Sequence, residues 1–274
     1  MGGVLKLCLA DRLGIYVDAV YGNVAHHNGT TLLLATILYT IQVYADFAGY
    51  SLMAIGSANL LGIELPTNFI RPCLARTITD FWRRWHISLS TFYKHYIYFP
   101  LGGNRVGKLK WMRNTMIVFF ISGLWHGADY TFVIWGLMHG VCMLIEKEIY
   151  GDKLKTMSTR FTLANALRML LTFSIVALSR VFFRADTLSD AVTILSRITH
   201  NPGHLFIDPD TLVYALVFLL LVTIVDFMQE FWPDKIKLMS NKNTIIRWAT
   251  YVSLIVMIMV CGVLDGGSFI YFKF

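Results

Sequence analysis

Long apolar runs dominate this sequence and limit what it can fold into. A helix needs roughly 20 predominantly apolar residues to cross the hydrocarbon core of a bilayer. Five regions reach or approach that length, at about 31–61, 114–148, 164–183, 211–229 and 245–263. The second covers 35 residues, too many for one helix, and is interrupted at Gly123-Leu-Trp-His-Gly127. It reads as two helices or a re-entrant hairpin, and either form returns the chain to the side it left. The fold class predicted is therefore all-α, a polytopic integral membrane protein. With 56% hydrophobic and 15% charged residues and a mean hydropathy of +0.57, the composition argues against a soluble enzyme, which carries nearer a quarter charged residues.

Charge is concentrated rather than spread. The whole chain carries +7, yet residues 71–113 alone hold nine basic side chains (Arg71, Arg76, Arg83, Arg84, Lys94, Arg105, Lys108, Lys110, Arg113) against one acid, Asp80. One basic, aromatic segment in an otherwise near-neutral apolar chain reads as a cytoplasmic loop facing anionic headgroups, not as a nucleic-acid face. With 71–113 in the cytoplasm, the helix parity puts the basic loops 149–163 and 230–244 (Lys235, Lys237, Lys242) on the same side. The loop 184–210 falls opposite, with Asp186, Asp190, Asp208 and Asp210 against Arg184 and Arg197. The first thirty residues read as an amphipathic helix, Val4 to Val20, and a polar turn at His26-His27-Asn28-Gly29. No internal repeat is visible, and 1–274 reads as a single membrane domain. Cys8, Cys73, Cys142 and Cys261 are far apart, without zinc or redox spacing, and read as reduced structural thiols; no metal site is expected.

Ionisable side chains inside membrane segments are costly and by default mark function. His126, in Gly123-Leu-Trp-His-Gly127, has flanking glycines that break the helix and let backbone or substrate approach. It is either a general base, as a neutral imidazole can be near neutral pH, or a core histidine bonded to a helix carbonyl. His139 reads as a helix-packing histidine. His86 stands in Phe81-Trp-Arg-Arg-Trp-His86-Ile-Ser-Leu-Ser90, either an interfacial helix anchored by tryptophans or the lining of a tunnel for a phosphate-bearing donor, with Arg83 and Arg84 as forks. Asp46 needs a partner, an arginine of the basic segment or a histidine, unless it serves a structural ion pair or cap. Gly102-Gly103 is a weak candidate for a phosphate nest.

These residues resemble the membrane-bound O-acyltransferase family, in its bacterial branch of alginate and peptidoglycan O-acetyltransferases. The matching stretches are Gln42–Ser51, Asn68–Pro72, Asp80–Ser90, Tyr98–Arg105, Arg113-Asn114, Gly123–Ala128, Phe132–Gly140, Phe182–Ala185 and Phe269–Phe274, in family order. The resemblance implies a helical bundle with re-entrant and interfacial helices. It also implies transfer of an acyl group, most often acetyl, from a cytoplasmic thioester to a hydroxyl of an envelope polysaccharide or a periplasmic relay protein. The family's intramembrane catalytic histidine matches His126, and its Arg-Trp-His histidine matches His86. Arg83, Arg84, Trp125, Asn114 and Asp46 become candidates for holding donor or substrate. Acetyl-CoA or an acyl carrier thioester would be a substrate, with no permanently bound cofactor. A periplasmic esterase-like partner, membrane lipid, a polysaccharide acceptor and the bacterial inner membrane complete the expectation. Family members are longer, so the chain is expected to be the C-terminal part of such a core. Lys94-His95 departs from the family's pattern and receives no role. Two other readings stand beside it: a transporter, which the lack of repeated halves disfavours, and a non-catalytic scaffold of a polysaccharide-modifying complex.

Overall fold

The computed structural model describes residues 1–155, 157–206, 209–233, 239–264 and 269. Among them every regular element is helical. The α-helices are α1 (Asp11–Tyr21), α2 (Gly29–Leu60), α3 (Ile78–Arg84), α4 (Ile87–Tyr93), α5 (Lys108–His126), α6 (Tyr130–Tyr150), α7 (Leu163–Arg184), α8 (Leu188–His200), α9 (Pro209–Phe231) and α10 (Thr244–Cys261). Four of these, α2, α7, α9 and α10, are long and apolar enough to cross a membrane. Asp208, Lys235, Lys237 and all of the C-terminal motif except Phe269 lie outside the described residues. The chain divides into two compact units.

The first unit comprises Met1–Thr67 with Gly203–Lys273. A wide π-helical segment, Val4–Ala10, runs into α1, and the pair buries Val4, Leu9, Leu13, Val17 and Val20 completely. Asn28 starts α2 by accepting the Thr31 amide at 3.1 Å, which satisfies one of the helix's free donors. The expected run 31–61 is this one unbroken helix. Asp46, only 2% exposed, pairs with Lys6 at 2.6 Å, a structural ion pair within this unit. Lys6 also reaches Asp11 at 2.7 Å, so one ammonium ties the N-terminal helix to α2. In the same unit the Tyr44 hydroxyl donates to the part-buried Asp226 at 3.0 Å.

The second unit, Asn68–Pro202, carries the basic segment and the remaining helices. Its centre is the hairpin of α5 and α6. The break falls at 127–129, and Gly123 lies inside α5. Gly123 serves packing instead: a Cβ there would strike the Phe132 carbonyl, and one on Gly136 would strike the Phe119 carbonyl. Two helices can approach this closely only where side chains are absent. Lys108, at the start of α5, pairs with Glu148, near the end of α6, at 2.7 Å, so both open ends of the hairpin lie together. The two helices extend beyond the apolar run 114–148, to Lys108 at one end and Tyr150 at the other.

Candidate active site

His126 is the last residue of α5. Asp129 accepts the Thr131 amide at 2.9 Å and starts α6, so the chain turns directly after the imidazole. Gly127 leaves room here for the Phe132 ring, which would lie 2.5 Å from a Cβ at this position. The His126 ring is enclosed by Trp125 at 4.9 Å, Trp135 at 5.0 Å and Phe183 at 5.0 Å, drawing on α5, α6 and α7. Only 9% of the residue is exposed.

His86 does not sit inside a single interfacial helix, because the aromatic-arginine stretch breaks there into α3 and α4. His86 adopts a left-handed conformation (φ 43°, ψ 58°) and caps α4, its Nδ1 accepting the Leu89 amide at 3.4 Å. That bond assigns Nδ1 the lone pair and Nε2 the proton in the neutral ring. Burial pushes the His86 imidazole down to about 4, so it is neutral at physiological pH. Its ring lies 6.3 Å from that of Trp125, which also contacts His126; one exposed indole therefore touches both histidines.

Sequence reasoning missed the third component. Arg180, one turn from the C-terminal end of α7 and 1% exposed, lays its guanidinium over Trp85 at 4.8 Å, Phe183 at 5.0 Å and Trp135 at 5.6 Å. Two of these rings also wall His126. The available signal was an arginine inside an apolar run, which costs enough to demand a reason. Next to it, His139 is fully enclosed and joined to Ser179 at 3.0 Å. Ser179 gives its own proton to the Val176 carbonyl at 2.7 Å, so His139 is the donor. This pair is a packing bond, not a nucleophile and its base, in keeping with the expected helix-packing role.

A cavity of about 380 Å³ opens beside this aromatic cluster. Trp82, Phe119 and Trp111 form apolar wall, and Arg83, Ser90 and Lys94 supply polar groups. The two arginines thus separate: Arg83 lines the cavity, whereas Arg84 turns away and binds Asp80 at 2.9 Å. Burial works against the Asp80 carboxylate, but Arg84 and Arg76 outweigh it and hold the group below its ordinary value. Asn114 is wholly buried and donates to the Leu101 and Gly103 carbonyls at 2.8 and 3.3 Å, fixing the turn 98–105. No phosphate nest forms in that turn, because the Gly102 and Gly103 amides donate to Phe99 and Tyr98. Of the expected site residues, His86, Trp125 and His126 come together, Arg83 lines the neighbouring cavity, Arg84 and Asn114 hold structure, and Asp46 belongs to the other unit.

Residues 18–152 match the MBOAT, membrane-bound O-acyltransferase family, a range that contains every one of those site residues. Residues 18–152 thus carry this family's domain. The chain is 42% identical over 190 residues to a peptidoglycan O-acetyltransferase of Helicobacter pylori, covering 69% of this chain and 36% of that protein. It is 40% identical over 192 residues to the probable alginate O-acetylase AlgI of Pseudomonas aeruginosa, covering 69% and 35%. A teichoic acid D-alanyltransferase of Bacillus subtilis is 30% identical over 194 residues, covering 67% and 48%. The chain therefore spans about a third to a half of the length of these relatives. Family and apolar helices together make it a membrane protein.

Proposed function

We propose that this chain forms part of a membrane O-acyltransferase that moves an acetyl group from a cytoplasmic thioester to a hydroxyl of an envelope polysaccharide. The observation that carries the reading is His126 at the break of a membrane hairpin, walled by aromatic rings and linked through Trp125 to a second neutral histidine. A neutral, water-poor imidazole suits general-base chemistry. In the proposed step His126 takes the proton of the acceptor hydroxyl as its oxygen attacks the thioester carbonyl. The new C–O bond forms, the C–S bond breaks, and the thiolate leaves. His86 shares this site and orients the reacting groups. Arg83 and Lys94 offer cations to the phosphate of a CoA or phosphopantetheine donor, which is consumed as substrate, with no cofactor held permanently. A periplasmic esterase-like protein would complete transfer to the polysaccharide.

The proposed location is the bacterial inner membrane, with several crossings and the basic segment on the cytoplasmic side. The Lys108–Glu148 pair supports this parity, since it brings the open ends of the hairpin to one side. The named activities of the relatives on peptidoglycan, alginate and teichoic acid support an envelope polymer as acceptor. The test is base-labile acetate released from envelope polysaccharide in the native host, comparing the intact locus with its His126→Ala form at equal membrane abundance. Acetate falling to the deletion level is the expected result; unchanged acetate sinks the reading and reopens the scaffold and transporter alternatives.

A further inference from the structure

The cavity beside the aromatic cluster is lined by α3, α4, residues 94 and 98, α5 and Met143 of α6, and a carboxylate just outside that lining ties α3 to α6. Thr79, Trp82 and Arg83 come from α3, while Met143 comes from α6. Glu146, one turn beyond Met143, accepts the Ile78 amide, the Thr79 amide at 2.9 Å and the Thr79 hydroxyl at 3.0 Å. The first four amides of a helix have no partner within it. In α3 the Asp80 amide is met locally by the Thr77 hydroxyl at 3.0 Å, and the regular helical bonds begin with Phe81, whose amide donates to the Thr77 carbonyl at 2.8 Å. The first two are met from another helix, by Glu146 of α6. A seven-residue helix has too few internal bonds to hold its own position, so its placement depends on such outside bonds.

We infer that Glu146 is a positioning residue for the acyl-transfer site, a clamp from α6 that sets where α3 presents Trp82 and Arg83 to the cavity. The inference rests on the acyltransferase reading. Trp82 packs on His139 at 5.3 Å and on Trp135 at 5.9 Å, and Trp135 walls His126, so a displaced α3 disturbs the cavity and the histidine cage together. The requirement is for two oxygens. A glutamine keeps one acceptor and turns an amide donor toward the donors of α3, and an alanine keeps none.

The experiment uses the intact protein from its host, as wild type, Glu146→Gln, Glu146→Ala and His126→Ala. Hydrogen–deuterium exchange of the peptide spanning 78–84 in purified protein is read alongside base-labile acetate per unit of membrane-inserted protein. The expected result is exchange in 78–84 faster by about tenfold in Glu146→Ala and less in Glu146→Gln, with exchange in the other helices unchanged. Acetate should fall in the same order. A role limited to folding would move melting and abundance but not this local exchange. Unchanged exchange in Glu146→Ala, or faster exchange with undiminished acetate, overturns the inference while the acyltransferase reading stands. If wild type itself gives no more acetate than His126→Ala, the acyltransferase reading fails and this inference falls with it.

Discussion

Replacing His86 by asparagine separates chemistry from architecture at the second histidine. His86 holds a left-handed backbone at φ 43° and caps α4 through a 3.4 Å bond. A left-handed conformation costs a non-glycine residue of order 1 kcal/mol or more, and asparagine tolerates it better than most. Asparagine is also among the strongest N-caps, whereas losing a cap to alanine costs about 0.5–2 kcal/mol, with the long bond here pointing to the lower half. His86→Asn should therefore be at least as stable as wild type, and His86→Ala less stable by about 1–2 kcal/mol once backbone strain is added to the lost cap. Acidification adds a second contrast. The folded-state pKa of His86, about 4, lies below the ordinary 6.5, so protons bind the unfolded chain preferentially. The stability tied to the neutral ring is thus complete above about 6.5 and is lost as pH falls toward 4; asparagine has no such loss. The assay is thermal unfolding in detergent between pH 4 and 7.5, with polysaccharide acetate at equal abundance. If the imidazole takes part in transfer, acetate falls by about a hundredfold or more in the stable His86→Asn protein. Acetate within threefold of wild type in His86→Asn would refute a chemical role and leave His86 as a cap alone.

Two further outcomes test the packing argument. Gly136→Val drives a side chain into the Phe119 carbonyl, so the hairpin must open; loss of folded protein from the membrane is expected, measured as detergent-resistant abundance, and normal abundance would contradict the close approach. Lys6→Met removes the ammonium from the buried Asp46 carboxylate and should destabilise by up to about 3–5 kcal/mol, whereas Lys6→Met with Asp46→Leu should recover most of that, read from the unfolding midpoints of the three proteins.

Much of this architecture was legible because apolar length and glycine placement act locally. Runs near 31–61, 164–183, 211–229 and 245–263 became α2, α7, α9 and α10, and the interrupted run became the α5–α6 hairpin, since a bilayer-length apolar stretch has few ways to satisfy its backbone except as helix. The motifs around His86 and His126 likewise pointed to residues that meet through Trp125. Other features depended on contacts distant in the chain. Asp80 stands at i,i+3 to Arg83 and i,i+4 to Arg84, spacings that allow either pair, and only the fold shows that it binds Arg84 while Arg83 lines the cavity. Lys6 as the partner of Asp46 required two segments forty residues apart to pack. Arg180 was hidden in an apolar run, and only the rings of Trp85, Trp135 and Phe183 give its charge a place. The sequence by itself determined a helical membrane protein with this family's domain and two marked histidines, because hydropathy and motif are written along the chain. The tertiary structure alone decided which polar groups face the cavity and which hold the frame, because a side chain's partner is set by what folds against it.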